Sequence, residues 1–515
     1  MELVNKSPEI KNKLILKNTV VLYIRSFVIM LISLYSSRVI LHSLGISDYG
    51  LYNVVGGVVA FFSFFRTTMT KCTQRFLNVE MVEKKYDLRV VFSTSLNIHL
   101  FIGLIMLLVT ETLGLWFLNV YIQIPIGREF AANIVYQTTI ISLILTIISV
   151  PYNADIIAHE EMGVFAFISI MDAVLKLIIA FAITFDNGDR LIFYSFLMML
   201  ISILNLLLYY IYCIRHYSES KYLFVYNKQL MKDIFGYTSW TVVGQAAVIG
   251  TNQGNNILIN IFHSVTANAA MGIAYQVKGA VVALTSNFQM AFNPQITKSY
   301  ASKDYEYLTK LVFTTSKMSY IILLITSLPI MFNINNILGI WLVEIPPATG
   351  LFCILIIIDS ILNALGAPFN YTALSSSKIK WFQIFTSIAF LSDLVILFPL
   401  FCLGFPAVTA LIVKGFSMVL VTGVRVYFAH REVSNIRLKS FSLQVLLPLS
   451  VSTVLSTTFG LLMFYYASNI ASIIVATLLL ICETIICNWF VSLTTTERQM
   501  VKKYILRFVN RRINN

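Results

Sequence analysis

Charge is scarce in this 515-residue chain: Asp, Glu, Lys and Arg together make up 12% of it. Acids are the scarcer kind, 24 against 37 Lys and Arg, which leaves a net charge of +13. Hydrophobic residues supply 58%. A water-soluble globule cannot hide that much apolar surface, so the composition excludes a soluble domain and indicates an integral membrane protein. The six cysteines (Cys72, Cys213, Cys353, Cys402, Cys482 and Cys487) fall mostly within or at the ends of apolar stretches. They have no metal or redox spacing and read as reduced core thiols. The six histidines form no HExxH, and no Walker-type phosphate loop occurs. Those absences argue against a metal hydrolase and an ATPase domain, and no metal or cofactor is expected. Long loops are missing too. A soluble catalytic domain needs about 50 residues or more, and no connection supplies them.

What is present is about fourteen apolar stretches, each able to cross a hydrocarbon core of about 30 Å as a helix. They run over 17–41, 51–74, 90–118, 132–154, 162–184, 190–214, 234–262, 266–293, 309–332, 346–373, 380–402, 406–430, 441–467 and 470–493. Threaded alternately, they place 26 of the 37 cations in the loops and tails of one side. Only Arg128 and Arg190 fall on the other, and nine cations lie within spans. That bias orients short loops, so both termini are expected in the cytoplasm. The same spread argues against a nucleic-acid partner, which would call for cations clustered on one face. The polar, basic segment Met1 to Leu16 runs straight into a full-length span without a clear small-residue cleavage site, so no cleavable signal peptide is expected. The basic tail 494–515 serves as a topology signal or as a helix on an anionic leaflet.

Gly50 and Gly57 open the second span, and Gly272 and Gly279 open the eighth with the same separation. Arg25 and Gln245 occupy nearly equal offsets upstream. The expected fold is therefore an all-α polytopic membrane protein with two pseudo-symmetric six-helix lobes, 17–215 and 229–430, and an added helix pair, 441–493. An even number of spans per lobe makes the repeats parallel, an arrangement that places a transporter's substrate site where lobes meet.

Four spans carry the polar residues that such a site needs. Arg25 lies about 12 Å into the first span at about 1.5 Å per residue, too deep to reach the interface easily. Arg38 is nearer the outer end and can snorkel. In the second span Arg66 is deeper than Lys71 and Arg75, which reach toward headgroups. Neither span holds an acid. Uncompensated Arg suits an anionic headgroup, because its planar fork makes two bonds to phosphate at once. The seventh span carries the most polar run of any, Gly250 to Asn256, with Gln245, Asn252 and Asn256 on one face. That run suggests a locally broken helix lining an aqueous path, or small residues and amides that join helices. The eighth carries Lys278, Thr285 and Gln289 on one stripe and ends at Asn293-Pro294. Lys278 can bind an anion or pair with an acid elsewhere. Five acids are intramembrane: Glu111, Asp172, Asp359, Asp393 and Glu483. Asp172 pairs with Lys176 four residues on. Asp393 is either an ion-coupling site, as Asp172 could also be, or a partner for Lys414, Lys317 or Arg425.

The stretch from Ser43 to Asn53, SLGISDYGLYN, resembles the LG…YG.Y signature of polysaccharide-transport flippases. Those flippases belong to the multidrug/oligosaccharidyl-lipid/polysaccharide (MOP) exporter superfamily. The following VVGGVVAFFSF and Gln74-Arg75-Phe76 resemble the O-antigen and capsule-repeat members. The resemblance implies a flippase, not an enzyme, in a bacterial inner membrane, serving lipopolysaccharide O-antigen or other polysaccharide biosynthesis. Its implied cargo is an oligosaccharide on polyprenyl pyrophosphate, moved by alternating access, and a polysaccharide polymerase is an implied partner. Arg25, Arg66 and Lys278 would meet the pyrophosphate. Gln245, Asn252, Asn256, Gln289 and Asn293 would meet sugar hydroxyls, and the polyprenyl tail would stay in membrane lipid. A cation-coupled multidrug antiporter of the same superfamily is the alternative. A membrane polysaccharide polymerase fits less well, because the outer loops are short and poor in paired acids or arginines. Topology is directly testable: alkaline phosphatase fused after Gly127 should be active in the periplasm, and the same enzyme fused after Lys439 should be inactive.

Overall fold

The computed structural model describes residues 8–60, 63–121, 124, 127–185, 188–263, 265–342, 345–466 and 469–499. The side chain of Arg38 and the tail beyond Gln499 lie outside the described residues. Every regular element among the described residues is helical. The α-helices are α1 (Pro8–Ala60), α2 (Ser63–Glu83), α3 (Leu88–Val109), α4 (Leu115–Tyr121), α5 (Glu129–Ala158), α6 (Met162–Ala182), α7 (Arg190–His216), α8 (Lys228–Phe262) and α9 (Val265–Ala301). They continue with α10 (Tyr305–Phe332), α11 (Ile334–Trp341), α12 (Thr349–Ser375), α13 (Lys380–Cys402), α14 (Thr409–Glu432), α15 (Leu438–Phe441), α16 (Leu447–Tyr466) and α17 (Ile470–Cys487).

Among the described residues, 11 helical segments are long and apolar enough to cross a membrane. The three further expected spans, 51–74, 234–262 and 266–293, are the most polar of the fourteen. They fall on helix as well, save residues 61 and 62, which lie outside the described residues. α1 is nominally continuous over 53 residues but breaks at Gly45, whose φ of 76° and ψ of 167° are non-helical. A left-handed φ is costly for any residue with a Cβ, which gives the glycine of the LG signature a physical reason to be there. One expectation needs correction. The polar run Gly250 to Asn256 does not break its helix: α8 is continuous over 35 residues. Its polar side chains bond to neighbouring groups instead, so the backbone ladder stays intact.

Two compact units divide the chain, one holding Leu14–Val242 and the other Val243–Asn515, with the boundary inside α8. In the first, α5 is central and packs against α7, α2 and α3. Its core gathers Leu118, Val135, Tyr136, Ile140, Ile183 and Leu191. In the second, α12 is central and packs against α9, α14 and α10, while α16 and α17 lie on α10. The two central helices match in detail. Pro151 is in a helix that ends at Ala158, and Pro368 is in one that ends at Ser375. Each proline removes a ladder hydrogen bond at the same distance from its helix end.

The C-terminal end of α3 shows how a helix can admit a neighbour's side chain. α3 continues into a π-helical turn, Thr110–Gly114, before α4 begins. A π turn loosens the ladder, and the Tyr136 hydroxyl donates to the Thr110 carbonyl at 2.7 Å. Gly114 leaves the space for it, since a Cβ there would collide with that hydroxyl. Gly114→Ala should destabilise the protein by about 1–3 kcal/mol, the usual cost of overpacking. Tyr136→Phe should offset part of that loss. Thermal unfolding of both single variants and the double variant measures the coupling, and strict additivity would contradict the contact.

Candidate functional site: charged clusters inside each helical unit

A charge in hydrocarbon is costly unless it is paired or faces water, so the partners of each intramembrane charge define what it can do. In the second unit, five helices bring their polar residues together. Lys278 of α9 donates to Asp359 of α12 at 2.6 Å, and Asp359 is fully buried. Lys278 is thus paired with an acid, the second of the two roles open to it. On α8, Asn255 donates to Asp393 of α13 at 2.8 Å, and Asn252 accepts from Lys414 of α14 at 2.5 Å. Lys414 also donates to the Tyr275 hydroxyl at 3.2 Å. Thr251 donates to the carbonyls of Ala247 and Phe390. Arg425 of α14 donates to Asn363 of α12 at 2.8 Å. Asp359 and Asp393 each keep one buried oxygen, Oδ1, without a hydrogen-bond partner. Three cations therefore share this interior with two carboxylates, and only one pair forms an ion pair among the described residues.

In the first unit, Lys176 donates to Asp172 at 2.7 Å, as the spacing suggested, and Asn205 of α7 donates to the other oxygen of Asp172 at 2.7 Å. Arg25 lies over the Phe165 ring, 4.5 Å from its centroid, and its Nε is buried without a hydrogen-bond partner. Such a cation–π contact offsets part of the desolvation cost and leaves the charge unneutralised. Arg66 is exposed. Tyr209 is buried and lies within electrostatic reach of both Arg66 and Arg25. Among the described residues no carboxylate forms an ion pair with either arginine.

The remaining sequence-derived residues are less engaged. Gln245, Gln289 and Asn293 are half-buried, and Asn256 donates to Gln253 at 3.4 Å. Lys317 proves to be a structural cation. It donates to Glu497 at 2.7 Å with both side chains nearly buried. Burial pushes the Glu497 carboxyl up, but the bond to Lys317 and the bonds from Thr494 hold it below the usual carboxylate range. At the opposite end of the first unit, Arg128 bridges Asp48 and Asp189. Tyr209, Asn205, Tyr275, Asn363 and Glu497 belong to these networks without having stood out in the sequence. Tyr275 and Asn363 lie one helical turn from Lys278 and Asp359, which is a local signal, whereas Tyr209, Asn205 and Glu497 have no intramembrane charge near them in sequence and are recruited only by the fold.

No protein-family model matches the chain, and no curated protein matches it by sequence. Solved structures do match its fold. A MATE mutant superposes with a TM-score of 0.72 at 12% identity, covering 84% of this chain and 98% of that one. An outward-facing multidrug resistance MATE family transporter of the MOP superfamily gives 0.68 at 12% identity, with 85% and 98% covered. A MOP superfamily transporter from Pyrococcus furiosus, described by a reversed polarity of its binding pocket, gives 0.64 at 13% identity, with 86% and 98% covered. The chain is a polytopic helical membrane protein. Its fold is that of the MATE transporters of the MOP superfamily.

The Lys278–Asp359 pair yields a double-mutant test. Lys278→Met alone should cost about 3–5 kcal/mol by leaving a buried carboxylate unpaired, and Lys278→Met with Asp359→Leu should recover most of that loss. Thermal unfolding in detergent measures both, and an unrescued double variant would disprove the coupling.

Proposed function

We propose that this chain is a secondary exporter of the MOP type that works by alternating access. The observation that carries this reading is the fold match, which extends over nearly the whole length of several MATE transporters. No connection holds a soluble domain, so transport between helices is the activity this architecture suits.

For the cargo, we infer a lipid-linked oligosaccharide with an anionic pyrophosphate head, moved across a bacterial inner membrane whose cytoplasmic face bears both termini. Arg25 and Arg66 support this reading, because no carboxylate neutralises them among the described residues, and the SLGISDYGLYN motif supports it independently. Lys278 is a weaker contributor to anion binding than the other two, because Asp359 already balances its charge. The amides Gln245, Asn252, Asn256, Gln289 and Asn293 would take sugar hydroxyls, although Asn252 is shared with Lys414.

The second reading, a cation-coupled multidrug antiporter, has at least equal support from the comparisons, since the neighbours include a multidrug resistance transporter. Each unit also holds a carboxylate bonded by an amide: Asp172 with Asn205, and Asp393 with Asn255. Of the two, Asp393 is buried and keeps one oxygen without a hydrogen-bond partner, which suits the uptake and release of a proton or a small cation, whereas both oxygens of Asp172 are bonded.

One pair of assays separates the two. In cells that depend on this chain, Arg25→Ala with Arg66→Ala should abolish surface glycan and accumulate the lipid-linked repeat unit, with ethidium efflux unchanged. Normal surface glycan in that double variant would remove the headgroup site. Ethidium efflux lost specifically in Asp172→Asn or Asp393→Asn would establish the antiporter reading instead.

A further inference from the structure

The end of α5 carries a cluster that neither the fold nor the cargo explains. Asp155 and His159 are four residues apart and so share one face of the helix end. Glu219 reaches them from the segment that follows α7. His159 Nε2 is 2.7 Å from Glu219 Oε1 and 3.6 Å from Asp155 Oδ1. The three ligand atoms all lie within 4.8 Å of one another. Asp155 is fully buried. Its Oδ2 accepts from Ser220 at 2.5 Å, while its Oδ1 has no hydrogen-bond partner. A buried carboxylate oxygen left open beside an imidazole is costly unless something occupies the space between them.

The cluster is held in place from both sides. The His159 ring stacks on Tyr217, with centroids 4.0 Å apart and planes within 5° of parallel. The strand of chain after Glu219 is tied to α3. Arg89 donates to the Lys221 carbonyl at 2.7 Å, Ser93 accepts from the Leu223 N–H at 2.9 Å, and Tyr222 donates to Asn97 at 2.9 Å. Asn18 of α1 donates to the Glu160 carbonyl at 3.1 Å. Preorganisation of this kind is what separates a binding site from acids that merely lie near one another.

The repeat supplies a comparison within the chain. Four and eight residues past the central proline, the first unit carries Asp155 and His159, and the second carries Thr372 and Ser376. In the second unit Thr372 simply bonds back to the Pro368 carbonyl, and the residue at the end of α14, Glu432, accepts from Tyr300. Packing of the shared fold therefore does not require ligand-type side chains at these positions.

We propose that Asp155, His159 and Glu219 form a binding site for a first-row divalent cation of the zinc type, which clamps the end of α5 to the segment after α7. One imidazole nitrogen and two carboxylates suit Zn²⁺ with water as a fourth ligand, whereas Mg²⁺ prefers oxygen ligands alone. On binding, the ring proton between His159 and Glu219 leaves to solvent, and the contact widens to admit the metal. The site is independent of the cargo.

The test is isothermal titration of the detergent-purified full chain with Zn²⁺, with Mg²⁺ as comparator. One Zn²⁺ per chain should bind, Mg²⁺ should not, and Asp155→Asn or Glu219→Gln should weaken binding at least about tenfold. His159→Gln provides a variant at a partly exposed position, since the ring is 26% exposed, and so spares the buried packing around Asp155. Zn²⁺ should also raise the thermal midpoint of the wild type and not that of His159→Gln. No saturable Zn²⁺ uptake, or unchanged affinity in His159→Gln, would overturn the proposal and leave an ion-pair staple.

Discussion

Everything polar inside these two helical units answers to one constraint: in a medium without water, a charge must find a partner in the protein. The ammonium of Lys278 against the buried Asp359 at 2.6 Å is the clearest case. It fixes α9 to α12, and α12 is the helix around which the second unit is packed. Lys414 and Arg425 instead donate to amides and a phenol, and Asp393 accepts from the Asn255 amide. The first unit meets the constraint differently, with an aromatic ring under Arg25 and a local pair at Asp172 and Lys176. Position along the helix and the identity of the partner, more than residue type, separate a structural cation such as Lys317 from one able to meet a ligand.

The helical class and the approximate spans were legible in the sequence because hydrophobic length and loop charge are one-dimensional signals. The pairing of Asp172 with Lys176 was legible for the same reason, being four residues apart on one helix. The partner of Lys278 was not, since Asp359 is on a helix far along the chain and nothing local distinguishes it from Asp393. The continuity of α8 was also hidden. A run of glycines and amides looks like a break until one sees that Thr251, Asn252 and Asn255 all bond to groups on α8 itself and on α13 and α14. The Asp155–His159 spacing was present in the sequence, but the third member, Glu219, is supplied by another segment, so three isolated residues showed no metal pattern.

The matching prolines of α5 and α12 tie the repeat to mechanics. Each central helix lacks one backbone hydrogen bond near the same end, so each can bend there without unfolding. The two units share this device while differing in the charges packed around it. A common scaffold thus carries two distinct sets of charged groups, because packing of the fold leaves those positions free to differ.

The loosened turn at Thr110–Gly114 has a consequence for the direction of everything beyond it. A π turn takes in one residue more than the α turn it replaces, and at about 3.6 residues per turn an extra residue offsets the following helical face by about 100°. The offset falls on α4, whose Leu118 is fully buried in the core of the first unit. An uninterrupted helix would turn that leucine to a different side, so a single inserted residue sets which face of α4 meets the core.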